Sequence, residues 1–145
     1  MICKTVIDVE CEESVTIYAR ERTQLVEDIE KLVNRTKNIV IGYFENKIFT
    51  LSPDKIYCFF VENNKIYADT DNQRFMIKER LYTVENTVGD SFIKINQSCI
   101  VNIDKIERFE ASFSGALTVV LKNGYKDYIS RRQLKIVKER IGFKL

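Results

Sequence analysis

A mainly β fold of antiparallel sheets, preceded by a small N-terminal α+β extension, is what this sequence predicts. Short runs rich in β-branched and aromatic residues recur at a spacing of roughly eight to ten residues beyond position 54. The breaks between them are Asn63-Asn64, Asp71-Asn72 and Asn123-Gly124, residue pairs suited to tight turns. Helical periodicity is confined to three segments, too few to make the helices the scaffold.

In chain order, Ile2–Val9 is β-branched and reads as a strand, and Val15–Tyr18 as a second short one after the acidic turn Glu10–Ser14. From Glu21 to about Arg35, Leu25, Ile29, Leu32 and Val33 form an amphipathic stripe, with Thr23, Glu27 and Asp28 suiting the helix start. That stripe suits packing on the front section's own sheet, the commoner use of such a stripe, or across a two-fold axis. Ile39–Phe44 and Ile48–Leu51 are strands around the turn Asn46-Lys47. The one proline, in Ser52-Pro53-Asp54, marks a boundary within 48–53, giving residues 1–48 as an α+β extension and 49–145 as the main domain. Strands are then expected at Lys55–Glu62, Lys65–Thr70, Arg74–Ile77, Phe92–Ile95, Ile106–Ala111, Leu117–Leu121 and Tyr125–Ile129. A short helix at Glu79–Thr87 carries Leu81, Val84 and Val88, and Ser130 caps a last one, Arg131 to about Ile141, striped by Leu134, Val137 and Ile141.

Composition narrows the function. The 145 residues are 45% hydrophobic and 30% charged, with one proline and five glycines, so the whole chain is expected to fold. Cys3, Cys11, Cys58 and Cys99 include no C-x-x-C pair and read as buried or incidental thiols of a reducing compartment. Charges at Lys4, Asp8 and Glu10 interrupt the N-terminus, and no apolar run is long enough to span a bilayer, so a cytoplasmic protein is expected. Histidine is absent, which removes Ser-His and Cys-His pairs and His-containing zinc sites. No G-x-G-x-x-G or P-loop occurs, and the carboxylate pairs Asp69/Asp71 and Glu12/Glu13 sit in turn-like stretches. These absences argue against an enzyme, and no cofactor or metal is implied.

Charge is unevenly placed. Residues 1–48 hold seven Lys+Arg against nine Asp+Glu, whereas 49–145 hold sixteen against twelve. Eight basic residues fall between Lys122 and Leu145, with only Asp127 and Glu139 opposing them. A basic end on a near-neutral chain suits a surface that meets phosphates, although a solvated helix face has the same composition.

The most informative stretch runs from Phe92 to Ile106. Lys94, Asn96 and Gln97 place a cation and two amides within four residues. Amides pair a donor with an acceptor, as the N6/N7 edge of adenine requires, and lysine meets phosphate or guanine. Read by residue type alone, Asn96 and Gln97 equally make a turn before Ser98. Asn102 closes a buried strand, where its side chain is expected to bond its own loop.

Phe92-Ile93-Lys94-Ile95-Asn96-Gln97-Ser98-Cys99-Ile100-Val101-Asn102-Ile103 resembles the signature of the LytTR family. Lys55–Glu62 and Lys65–Asn72 resemble that family's opening strands, and Leu117–Gly124 with Ile129-Ser130-Arg131-Arg132 its closing hairpin and serine–arginine step. The likeness covers roughly residues 49–142. The chain departs from the pattern at Asn96, where histidine is frequent, at Lys94, where arginine is usual, and at Cys99, where an aromatic is frequent.

The resemblance implies a transcription regulator that binds double-stranded DNA with loops instead of a recognition helix. Carried over by position, the contacting loops are Asn63-Asn64-Lys65, Lys94–Gln97 and Ser130–Arg132. Candidate contacts are therefore Asn64, Lys65, Lys94, Asn96, Gln97, Arg131 and Arg132, with Lys135 adding a phosphate contact. It further implies a homodimer on repeated half-sites, with bending of the DNA and effects on nearby transcription. The front 48 residues are too few for a receiver domain and resemble the short extension of stand-alone regulators, a candidate dimerisation or regulatory element; such regulators are often associated with a small membrane protein that restrains them. A second class of reading is a protein-interaction module that binds a membrane or regulatory partner, with weak or lost DNA binding.

Overall fold

The computed structural model describes residues 2–12, 14–35 and 39–144. Two compact units make up the chain, Met1–Lys37 and Asn38–Leu145. In the first, α1 spans Gln24–Arg35. Thr23 starts it as anticipated, its hydroxyl accepting from the Val26 N–H at 3.4 Å. The strands expected at Ile2–Val9 and Val15–Tyr18 do not form in the described residues, and most of these side chains are exposed. β propensity needs a neighbouring ladder and a face to bury, and neither segment has one. Along α1, Leu25 and Leu32 are exposed, while Val26 is buried.

The second unit holds ten strands: β1 Val40–Phe44, β2 Lys47–Leu51, β3 Ile56–Glu62, β4 Lys65–Thr70, β5 Arg74–Ile77, β6 Phe92–Asn96, β7 Cys99–Asn102, β8 Ile106–Ala111, β9 Leu117–Leu121 and β10 Lys126–Ile129. All pairings are antiparallel, in a seven-stranded sheet ordered β2-β1-β5-β4-β3-β7-β6 and a three-stranded sheet ordered β10-β9-β8. The hairpin β1–β2, most of it assigned to the front extension from sequence, is thus part of the large sheet. Gly42 allows this: a Cβ there would lie 2.7 Å from Leu51 Cδ1 and 2.9 Å from Phe75 Cβ.

Two hydrophobic clusters sandwich the large sheet. On one face Phe60, Ile93, Ile95, Cys99 and Val101 meet Leu117, Val119, Leu121 and Ile129 of the small sheet and Val137 of α3, Arg131–Ile141. On the other, Ile56, Phe59, Ala68, Ile77 and Ile100 meet Val84 and Val88 of α2, Leu81–Val88. Coverage on both faces explains why β3 is buried continuously from Ile56 to Phe60 without alternating. Its near-continuous apolar run is a doubly covered central strand.

Asn102 is buried and holds the chain at the start of β3. Its amide donates to the Ile56 carbonyl at 2.9 Å and accepts from the Asp104 N–H at 3.1 Å, the latter being the local bond expected from sequence. Ser130 caps α3 by accepting from the Gln133 N–H at 3.3 Å, and Gly142 ends it with φ 88° and an N–H bond to Lys138 at 2.8 Å.

Candidate nucleic-acid interface

Hydrogen bonds tie three loops to one end of the second unit. β3 turns into β4 through Asn63 and Asn64, with φ of 53° and 62°, so Glu62 faces Lys65 in a two-residue hairpin. Asparagine tolerates this left-handed backbone better than most residues, which is why the pair sits here. β6 turns into β7 through Gln97-Ser98, and the Ser98 carbonyl accepts from Val61 N–H at 2.9 Å, fastening that turn beside the end of β3. The Ser130 N–H donates to the Ile95 carbonyl at 2.9 Å, which sets the first turn of α3 beside the end of β6.

Asn64, Lys65, Gln97, Arg131, Arg132 and Lys135 are all exposed. Among the described residues Arg131, Arg132 and Lys135 enter no ion pair. The first turn of α3 carries no carboxylate, so two guanidinium groups lie at the positive end of a helix dipole. Each such placement costs about 0.3–1 kcal/mol, a cost that a bound anion removes. Lys94 stands further back, half-buried on the opposite face of β6 from Ile93 and Ile95.

Asn96 corrects the sequence reading. It is 1% exposed, and its amide donates to Asp127 Oδ1 at 3.2 Å and to the Tyr128 carbonyl at 2.9 Å while accepting from the Ser98 N–H at 2.8 Å. A side chain so engaged joins the β6–β7 turn to β10 and offers no free edge to a base. Asp127 is likewise engaged, accepting from the Tyr125 hydroxyl at 3.2 Å. Burial, with the neighbouring Cys99 and Asp127, pushes the Tyr125 phenol above its ordinary range. The Cys99 thiol is also pushed up, by its hydrogen bond with Cys58 and by burial, so it packs as an inert thiol beneath the turn.

Sequence reasoning missed Arg140, which donates to the carbonyls of Asp90 at 2.6 Å and Phe92 at 3.2 Å and so ties α3 to the start of β6. At the end of the sheet away from the three loops, an open depression of about 340 Å³ is lined by residues that include Lys55, Thr70, Asp71 and Gln73. Among the described residues no group of three His, Cys, Asp or Glu side chains is arranged to hold a metal ion, and no helix is long and apolar enough to cross a membrane.

The LytTr DNA-binding domain family matches residues 46–142, the span that builds all three loops. The chain belongs to this family. A solved LytTr DNA-binding domain from Bacillus cereus superposes with a TM-score of 0.69 at 20% identity, covering 74% of this chain and 99% of that one, so the mainly β LytTR fold is confirmed. Relatives named uncharacterized HTH-type transcriptional regulators, from Staphylococcus aureus strains NCTC 8325 / PS 47 and COL, are each 34% identical over 135 residues, 92% of both chains. The helix-turn-helix of those names has no counterpart among the described residues of this LytTR protein, where strands separate each helix from the next.

Proposed function

We propose that this LytTR protein is a cytoplasmic transcription regulator that binds duplex DNA sequence-specifically, as a homodimer on repeated half-sites, and reads it through the three gathered loops. The observation that carries the reading is the pair of backbone hydrogen bonds, Val61 to Ser98 and Ser130 to Ile95, that bring Asn64, Lys65, Gln97, Arg131 and Arg132 to one end of the fold. The names of the Staphylococcus aureus relatives support the assignment to transcription.

Each side chain has a role that follows from its chemistry. Arg131 and Arg132 fork onto guanine O6/N7 or onto phosphate, and Gln97 reads a base edge. Lys65, Lys94 and Lys135 neutralise phosphates, and Asn64 positions its turn against the backbone. Asn96 acts indirectly, by holding the Gln97-Ser98 turn. Released counterions drive much of the affinity, so binding weakens steeply with salt.

The test is binding of the purified protein to its own upstream region and to an unrelated duplex across a salt titration, with Arg132→Ala in parallel. Preferential, salt-sensitive binding that the variant loses supports the reading. Equal or absent binding to both duplexes overturns it for that operator, and failure to enrich any duplex from a random pool overturns it altogether.

One observation favours a second reading, a protein-interaction module with weak or lost DNA binding: the first unit exposes Ile2, Val6, Ile7, Val9 and Tyr18. Such side chains suit a small membrane protein or another regulatory partner. Alanine at both Arg131 and Arg132 separates the readings, because it removes DNA binding and leaves partner binding intact.

A further inference from the structure

The β8–β9 hairpin adds a fourth loop at the end that carries the arginines. Ala111 pairs with Leu117, and Leu117 with Ile129, so residues 112–116 leave the small sheet where Ser130 begins the step into α3. The loop holds its own shape. The Ser112 N–H donates to the Ala116 carbonyl at 2.9 Å, the Gly115 N–H donates to the Ser112 carbonyl at 3.0 Å, and the Ser112 and Ser114 hydroxyls lie 2.8 Å apart. Gly115, at φ 81°, closes the turn. At its tip Phe113 is fully exposed.

A phenyl ring held in water at the end of a hydrogen-bonded loop gives the fold nothing. Its surroundings suit a nucleic acid. The loop carries no carboxylate, and Glu110, on the strand before it, is engaged by Arg108 at 2.8 Å and Lys126 at 3.9 Å. Ser112 and Ser114 flank the ring and hold it out: their hydroxyls bond to each other, and that of Ser112 also reaches the Ala116 carbonyl at 3.3 Å. Tyr128 is a further exposed aromatic, one position short of Ile129 on the neighbouring strand. Proteins that bend DNA press an exposed apolar side chain of this kind against a base step as a wedge.

We propose that Phe113 is a DNA-contacting wedge: on the bound duplex its ring presses on a base step beside the segment met by Arg131 and Arg132, unstacks it and bends the helix. This rests on the DNA-binding reading above and deepens it, adding a contact that acts through deformability of the DNA instead of hydrogen bonds to base edges.

The experiment uses the full chain and a duplex enriched from a random-sequence pool by the wild-type protein. Phe113→Ala is compared with wild type by affinity across salt, by bend angle from energy transfer between duplex ends, and by fluorescence of 2-aminopurine placed at successive steps. The expected result is binding weaker by about tenfold, the size of one lost stacking contact. The bend is smaller, the 2-aminopurine signal falls at one step, and the salt slope is unchanged because no phosphate contact is lost. Phe113→Leu, still an apolar wedge, retains most of the bend. Melting temperature is unchanged in both variants, because the ring packs on nothing.

Wild-type affinity, bend and fluorescence in Phe113→Ala overturn the proposal while leaving the DNA-binding reading in place. So does a variant that changes only the oligomeric state, which would assign the ring to a contact between copies. If the wild-type protein enriches no duplex, both readings fall.

Discussion

Replacing Asn96 with alanine separates a structural asparagine from a base-reading one. The side chain is 1% exposed and makes three hydrogen bonds, to Asp127, Tyr128 and Ser98. At about 1 kcal/mol for each hydrogen bond, the loss comes to about 3 kcal/mol. Ser98 lies in an exposed turn where water can replace the partner of its N–H, which brings the expected cost to about 2–3 kcal/mol. For a chain of this size that lowers the melting temperature by about 5–10 °C. Aspartate at the same position is worse than alanine, since it loses both donors and sets a second carboxylate against Asp127, now 3.2 Å from the amide. The chain has no tryptophan, so urea unfolding followed by far-ultraviolet circular dichroism is the assay. A stability change under about 0.5 kcal/mol, the size usual for neutral surface substitutions, would refute the reasoning. If DNA affinity fell at the same time, base readout by Asn96 would be restored.

Gly42→Ala forces a Cβ to 2.9 Å from Phe75 Cβ, so it destabilises by about 1–3 kcal/mol in the same urea assay, as overpacked cores do. Ser130→Ala removes the cap of α3, costs about 1 kcal/mol and weakens DNA binding by loosening the turn that carries both arginines. Stability should fall at alkaline pH. Folding raises the Cys99 thiol above 9.0 and the Tyr125 phenol above 10.0, so the folded state keeps protons that the unfolded chain releases. Their contribution is therefore full below pH 9.0 and declines as pH rises through that value and then 10.0 toward the folded-state values. Tyr125→Phe removes the tyrosine part of the decline in urea titrations taken at successive pH values.

Most strands of the second unit were legible because their signals are local. Asn63-Asn64 favours a left-handed turn whatever surrounds it, and the runs on either side alternate or stay apolar according to how many faces are covered. Ser130 was legible as a cap for the same reason. Ile2–Val9 carried equally strong β propensity and formed no strand, since propensity does not say whether a partner strand exists. The place of β1 beside β5 was hidden too, because non-sequential neighbours leave no mark in spacing. Asn96 misled in a similar way. An amide before a tight turn looks alike whether it faces solvent or β10, and its deciding partners, Asp127 and Tyr128, lie more than thirty residues further on. The loop motif named three loops that the fold brings to one end, but it could not distinguish the side chains presented outward from those that hold a loop in shape.

The claim that the three loops form one DNA-reading surface is tested most directly by following backbone amide resonances while an enriched duplex is titrated into the labelled protein. The account predicts that Asn64, Lys65, Gln97, Ser98, Arg131 and Arg132 shift together, with residues 52–55 and 70–73 at the opposite end unmoved. Perturbations centred on that opposite end, on α2 or on residues 2–18 would contradict it.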